Sequence, residues 1–417
     1  MRKLNAYTVY VTSETSFALF FSMVATVNLV YQVEVAHLNP LQLVLVGTVL
    51  ETTTFLCEVP TGVIADVYSR RWSIIIGSII MGIGFVLEGS IPRFETILLA
   101  QVVWGAGWTF TSGATEAWLS DEIGEAKAGK AFLRASQFSQ LGDLVGIGVS
   151  IALASIFLQF PIIVGGLLVI TLGIFQMLLM PETGFKLAPR EDRSSTQHML
   201  DTFRGGLGMV RRRPALLTIF SAIAVYGAFT EGFDRLWTPH LLDHFSLPTL
   251  WSLQPVAWFG IIRAAGVLLA VFATEVVRRR VDTSDNSSVA RSLLAISVLL
   301  IVSVIAFGIV TDFALAFIVL LAIIPLRRMM APIQTAWVNQ RLDSKVRATV
   351  ISMSSQSDAL GQIIGGPILG AIATIASTRV EMVAAGLALL PVLVLYAWTL
   401  RRGGAESILA SPEPIAD

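Results

Sequence analysis

Cysteine is almost absent: Cys57 stands alone in 417 residues. A single thiol cannot close an internal disulfide, and it excludes cysteine-rich metal and iron-sulfur centres. Charge is scarce too. Asp, Glu, Lys and Arg make up 14% of the chain against 54% hydrophobic residues, and the mean hydropathy is +0.74, which leaves too little charge to cover a soluble domain. The 29 basic and 29 acidic residues cancel, so no charge excess marks the chain for nucleic acid. No phosphate-binding loop of the form G-x-x-x-x-G-K-[ST] is present, so any work must draw on gradients or the process must be passive, and no nucleophile and base constellation suggests an enzyme. No cofactor or metal is implied. His240 and His244, four apart with Asp243 between, have a spacing that binds metals on helices, but they fall at the end of an expected helix and read as a wet terminus.

What the chain does have is apolar runs of about 20 residues, the length that crosses a bilayer. Spans are expected at 10–33, 41–64, 72–91, 95–119, 131–156, 160–180, 214–238, 250–275, 291–310, 313–338, 347–373 and 380–400. They describe an all-α membrane protein with twelve transmembrane helices. The first run is too long and too polar for a removed signal peptide, since Glu14, Asn28 and Gln32 interrupt it. Lys and Arg collect on cytoplasmic loops. With both termini cytoplasmic, only Arg93 and Arg379 of the 29 basic residues fall on outer loops, while Arg235, Arg263, Arg327 and Arg328 fall within spans. Trp72, Trp118 and Trp398 lie near expected interfaces, where an aromatic belt forms.

A hydrophilic stretch between Pro181 and Pro214 is far longer than any other connection. It divides the chain into an N-terminal six-helix bundle at 1–181, a cytoplasmic linker at 182–213 and a C-terminal six-helix bundle at 214–417. The linker reads as a tether, with an amphipathic pattern from His198 to Val210. A weak repeat relates the halves: Asp143-Leu-Val-Gly146 in the fifth span and Asp358-Ala-Leu-Gly361 in the eleventh. Small residues surround both acids, Gly142 and Gly146 in one and Gly361, Gly365, Gly366 and Gly370 in the other, and such spacings let helices approach closely.

An ionisable group in hydrocarbon is costly, so its helix must face protein or water. The third, sixth, ninth and twelfth spans are free of charge over Ile74–Leu87, Phe160–Met180, Ser292–Val310 and Met382–Leu400, and are expected to face lipid. The others hold Glu14, Glu51, Glu58, Glu116, Asp143, Glu231, Asp234, Arg235, Arg263, Arg327, Arg328 and Asp358. A carboxyl in low dielectric gains by taking up a proton, which makes Glu51, Asp143 and Asp358 proton-coupling candidates. The same acids are suited to ion pairs with Arg263, Arg327 or Arg328 that hold one state closed. Glu231, Asp234 and Arg235 lie nearer the outer end of the seventh span and read as a local or extracellular-gate ion pair. Pro325 and Pro332 flank the paired arginines and are expected to kink that helix.

The stretch Gly62-Val-Ile-Ala-Asp66-Val-Tyr-Ser-Arg70-Arg71 lies between the second and third spans. It resembles the loop signature of the major facilitator superfamily, G-x-L-A-D-x-x-G-R-[KR], with Ser69 in place of the second Gly and Val67 in place of the frequent Arg. Ser112-Gly-Ala-Thr-Glu-Ala-Trp-Leu-Ser-Asp121-Glu122 and Arg347-Ala-Thr-Val-Ile-Ser look like the drug-efflux branch of macrolide and tetracycline exporters. Two features depart from proton-coupled members. Gln101 stands where they hold a buried Arg, and their Gly-Pro pair is missing from the fifth span, where Val149 and Ser150 follow Gly148; a similar Gly365-Gly-Pro367 occurs in the eleventh.

The resemblance spans the whole chain and implies the major facilitator fold. It also implies a cytoplasmic gate of Gly62, Asp66, Arg70, Arg71 and Asp121, in which the signature acid meets the start of the eleventh span and Arg70 bonds the acid ending the fourth. The fourth and seventh spans are implied to line a central cavity, where Trp104 and Trp108 share one face and Phe229, Phe233 and Trp237 another. Asn28, Gln32, Gln101, Arg263, Arg327 and Arg328 complete the cavity candidates. Such a surface suits a hydrophobic or aromatic solute, and a cationic one through cation-π attraction.

The expected function is secondary active transport: proton-coupled efflux of small hydrophobic compounds or drugs, as in multidrug antiporters that confer antibiotic resistance, by alternating access. A monomer in a bacterial cytoplasmic (inner) membrane is expected, with the lipid bilayer, a small-molecule substrate and protons as its partners. The alternative is an uptake or exchange carrier for an anionic metabolite held by the intramembrane arginines. A sensor or scaffold that no longer transports is a third reading.

Overall fold

The computed structural model describes residues 3–185, 214–248, 256–283, 285–339 and 344–401. The expected linker from 186 to 213, with its amphipathic stretch, lies outside the described residues. So do the start of the eighth span at 250–255 and the side chain of Arg347.

Helices form wherever apolar runs were found. They are α1 (Ala6–Glu34), α2 (Pro40–Val67), α3 (Arg70–Ser90), α4 (Phe94–Thr111), α5 (Ala114–Ile123), α6 (Glu125–Ala154), α7 (Phe160–Leu179), α8 (Pro214–His244), α9 (Ala257–Arg280), α10 (Asn286–Ile309), α11 (Phe313–Asn339), α12 (Ser344–Ile375), α13 (Thr378–Ala388) and α14 (Leu390–Arg401). Polar caps punctuate the apolar runs. Asn39 Oδ1 accepts from Gln42 N at 2.9 Å and Gln42 Oε1 accepts from Asn39 N at 3.0 Å, a reciprocal cap before Pro40 at the first turn of α2.

Two expected spans are broken. The fourth is α4 followed by α5, divided at Ser112 and Gly113, whose φ of 71° lies in the left-handed region that glycine tolerates. The twelfth divides at Leu389 into α13 and α14. Eleven described helices, counting α13 with α14 as one, are long and apolar enough to cross a membrane. The pair α4 and α5 supplies the twelfth member of the series.

The chain divides into two compact units, Met1–Arg193 with Leu247–Val267 and Ser194–Ser246 with Leu268–Asp417. In the first, α1 packs on α6, α3 on α4 and α7, and α2 on α4. In the second, α8 packs on α12, and α10 packs on α11, α13 and α14. The repeated glycines serve this packing within each unit. A Cβ at Gly142 would stand 2.6 Å from Thr15 O of α1, and Cβ atoms at Gly361 and Gly365 would collide with the backbone of Ala224 and with Ala228 on α8. Each unit therefore joins its glycine-bearing helix to the helix that opens it.

Two expectations from position alone are corrected. Trp118 is 2% exposed rather than at an interface belt; it packs with Tyr10, Ala65 and Ile74, and its indole N–H donates to Pro181 O at 2.8 Å, so no water is needed. The third and twelfth spans are not free of buried charge, because Glu88 on α3 and Glu381 on α13 are both fully buried. Each lies one residue outside the charge-free stretch and turns inward. The outward faces are still apolar, as with Ile76 and Ile83 of α3 and Val298 and Val302 of α10, all exposed.

Candidate functional site

Arg70, at the start of α3, sits between two carboxylates. Its Nη1 lies 2.5 Å from Asp121 Oδ2 on α5, and its Nη2 and Nε lie 3.2 and 3.3 Å from Asp66 Oδ1 at the end of α2. Arg71 turns the other way and donates to Met180 O at 2.9 Å and Met177 O at 2.6 Å, satisfying carbonyls that the end of α7 leaves open. Ser69 has its own task where the signature carries glycine. Its hydroxyl caps α3 by accepting from Trp72 N at 3.0 Å and donates to Glu182 at 2.8 Å, while Glu182 also accepts from Arg71 N at 3.0 Å. An acid at a helix N-terminus is favoured by the dipole. Gly62 faces open space. The group thus binds α2, α3, α5 and the segment after α7 together through charge-assisted bonds.

Further along the first unit, aromatic rings form a strip. Phe17 lies 6.2 Å from Trp108 and 5.7 Å from Phe21; Phe21 lies 6.3 Å from Trp104, and Phe85 lies 5.3 Å from Trp104. Trp104 Nε1 donates to Gln101 Oε1 at 2.8 Å, and Gln101 Nε2 donates to Glu88 Oε2 at 3.1 Å. Gln32 Nε2 reaches the other oxygen, Glu88 Oε1, at 2.7 Å. Gln32, Gln101 and Trp104 thus meet around a carboxylate that was not a candidate. Phe17 and Phe21, four residues apart and so on one helix face, are legible in the sequence; Glu88 is an ionisable residue within the expected span 72–91, a signal its place near the span's end obscures. Asn28 is half-buried and its Oδ1 has no hydrogen-bond partner among the described residues.

Where α1 meets the break between α4 and α5 there is a cavity of about 150 Å³, bordered by Glu14, Phe17, Trp108 and Glu116. In the same unit, Glu51 on α2 and Asp143 on α6 are half-buried. Arg263, on the part of α9 that belongs to this unit, places Nη1 3.4 Å from Ala25 O.

The second unit has its own cluster. Arg327 on α11 meets Asp234 on α8 through two bonds, Nη1 to Oδ1 at 2.5 Å and Nη2 to Oδ2 at 2.7 Å. Its guanidinium carbon lies 5.0 Å from the Phe233 ring centroid and 5.7 Å from that of Phe229. Arg328 is exposed, as a turn of about 100° between adjacent residues requires when its neighbour faces inward. Glu231 and Arg235 pair along α8 at 3.1 Å. Asp358 accepts from Gln362 Nε2 at 2.8 Å. His240 is fully buried, so it is not the wet helix end expected; its Nε2 lies 3.1 Å from Phe307 O. Among the described residues no group of three or more His, Cys, Asp and Glu side chains could hold a metal.

Helices long and apolar enough to cross a membrane, in two compact units with acids such as Glu88 and Glu381 buried among them, are those of a multi-pass membrane protein. Residues 9–326 match the Major Facilitator Superfamily model, and the chain belongs to that family. It is similar to the uncharacterized MFS-type transporter YxaM of Bacillus subtilis (strain 168), with 25% identity over 371 residues that cover 85% of this chain and 86% of that one. Among solved structures it resembles the nucleoside transporter NupG, with a TM-score of 0.77 and 13% identity over 94% of this chain and 99% of that one. A bacterial homologue of the human lysosomal transporter Spinster, inward-facing and unoccupied, gives 0.72 and 15% over 99% of each chain. The human organic anion transporter MFSD10 gives 0.61 and 13% over 94% and 98%. At these identities the likeness is one of fold.

Proposed function

We propose that this protein is a secondary active transporter of the bacterial plasma membrane that exports small hydrophobic compounds in exchange for protons, by alternating access. The observation that carries this reading is the strip of Phe17, Phe21, Phe85, Trp104 and Trp108 in the first unit. Rings in offset and tilted arrangements present apolar faces that take up aromatic and aliphatic bodies without demanding a fixed hydrogen-bond pattern. Arg327, the arginine an anionic solute would need in the second unit, already has two bonds to Asp234. Asp66, Arg70 and Asp121 act in this reading as a cytoplasmic latch. Glu51, Asp143 and Asp358 are the groups that would exchange the proton as the cavity alternates between the two sides.

The test is a solute panel in proteoliposomes with an imposed pH gradient. Neutral hydrophobic compounds should move against their gradient with counterflow of protons, and replacing Glu51 by Gln or Asp143 by Asn should abolish gradient-driven movement while sparing exchange. The solved relatives are described as carriers of nucleosides, peptides and organic anions, so the panel includes one of each. Transport of the organic anion alone, lost when Arg263 is replaced by Gln, would replace export by anion exchange.

A further inference from the structure

The cavity beside the break in the fourth span has a chemistry that neither packing nor gating uses. Glu14 comes from α1 and Glu116 from the first turn of α5, which begins after the break at Gly113. Both acids border this one cavity, yet among the described residues neither carboxylate takes part in a hydrogen bond or a salt bridge. Ser13 also borders the cavity; it is 6% exposed, and its Oγ has no hydrogen-bond partner among the described residues. A buried hydroxyl in that condition costs free energy unless something meets it. Phe17 and Trp108 stand over the same space, tilted by 35° to each other.

These features select a ligand class. Two acids repel an anion and give a neutral solute nothing that water would not. A bare metal ion needs more oxygen ligands than two carboxylates and a hydroxyl, and aromatic walls do not replace a hydration shell. A protonated amine satisfies every part: N–H groups for the carboxylates and for Ser13, and positive charge for the faces of Phe17 and Trp108. The volume of about 150 Å³ is about that of a cavity that takes up one benzene, so it holds a head group and not a whole drug. Phe17 is also the first ring of the strip that continues through Phe21 to Trp104, so the apolar body has a surface to follow.

We propose that Glu14, Glu116 and Ser13 form the head-group subsite for an amphipathic amine, and that the aromatic strip receives its body. The assignment rests on the transport reading above and names its preferred substrate class.

The experiment compares three probes with one body and different heads, 4-phenylbutylammonium, 4-phenylbutanol and 4-phenylbutanoate, by calorimetry on the purified full-length protein and by uptake into proteoliposomes. The ammonium should bind at least about tenfold tighter than the alcohol, and the carboxylate weakest. Glu14→Gln and Glu116→Gln should each lower ammonium affinity about tenfold and leave alcohol affinity unchanged, which also shows that the variants are folded. Glu14→Asp, which keeps the charge, should recover much of the loss. Ser13→Ala should weaken the primary ammonium more than its trimethylated counterpart, which has no N–H.

Equal affinity for the three heads overturns the subsite, as does unchanged ammonium binding in both glutamine variants. Displacement of the ammonium by sodium at matched ionic strength, with potency equal to its own, assigns the cavity to an inorganic cation instead. If the alcohol is exported but no head is preferred, export stands and the subsite falls. If no probe is exported while the ammonium binds the parent and fails to bind the variants, the subsite stands and export falls.

Discussion

Arg327 and Asp234 meet end-on, Nη1 and Nη2 to the two carboxylate oxygens, joining α11 to α8. Fork-to-fork geometry fixes the relative position of two helices more tightly than a single contact would. The side chain of Asp234 is 50% exposed and that of Arg327 20%, so solvent screens part of the attraction. Replacing Arg327 by Gln should therefore cost about 1 to 2 kcal/mol of stability and leave the affinity for a neutral hydrophobic solute nearly unchanged. Thermal unfolding in detergent and solute binding, measured on the same preparation, check the two halves of this statement. An Arg327→Gln variant as stable as the parent that has lost binding of an organic anion would make this arginine a ligand.

Close packing gives a second comparison, free of charge effects. A methyl group at Gly142 would meet Thr15 O of α1 at 2.6 Å, whereas at Gly148, on the same helix, nothing lies within 4 Å. Gly142→Ala must push α6 from α1 and should destabilise the first unit by about 1 to 3 kcal/mol. Gly148→Ala should be neutral or stabilise by about 0.5 to 1 kcal/mol, the helix-propensity difference. Thermal unfolding of the two variants side by side checks the order. Equal effects would mean that α1 and α6 do not approach as closely as the glycines imply.

Helix positions were legible in the sequence because hydrocarbon thickness sets the length of each apolar run, independent of neighbours. The break at Gly113 was not. Ser112-Gly113-Ala114 is a run of small residues of the kind also found within unbroken membrane helices, and only the positive φ sets it apart. Pairing was harder still. Asp234 stands three residues from Glu231 and one from Arg235, so a local or extracellular-gate pair is the natural reading of all three; Arg235 does bond Glu231 locally, but α8 turns Asp234 toward Arg327, 93 residues away. Which face an acid takes depends on the tilt of its helix, and no single run encodes that. Glu88 shows the same limit. Its two glutamine partners were recognised as polar groups in membrane, but the carboxylate between them sat one residue beyond a stretch that read as apolar.

The two acids at Arg70 differ in a way that orders their mutations. Asp121 is the closer, at 2.5 Å and 30% exposed, whereas Asp66 is 60% exposed at 3.2 Å. An exposed pair contributes about 0.2 to 1 kcal/mol, and a shorter, better shielded one more. Asp121→Asn should therefore loosen the cluster more than Asp66→Asn. In the latch reading both variants shift the population toward inward-open states with folding intact, Asp121→Asn further. Distances between spin labels on the ends of α2 and α12 report that shift, and unchanged distributions in both variants would remove the latch.

Glu88 is fully buried, and Gln32 and Gln101 each donate one amide hydrogen to a different carboxylate oxygen. Removing the carboxylate strands two buried donors and opens a void, so Glu88→Ala should destabilise the first unit by about 2 to 4 kcal/mol. Glu88→Gln keeps the volume and one acceptor, and should recover roughly half of that loss because a single amide oxygen satisfies only one of the two glutamines. The network also extends to Trp104, whose Nε1 donates to Gln101 Oε1 at 2.8 Å. Loss of Glu88 frees Gln101 to turn, and the indole then loses its fixed acceptor, so the emission of Trp104 should shift in Glu88→Ala and shift less in Glu88→Gln. A protein in which Trp104 is the one remaining tryptophan makes the measurement specific. Emission unchanged in both variants, with stability also unchanged, would show that Gln101 is held by something other than Glu88.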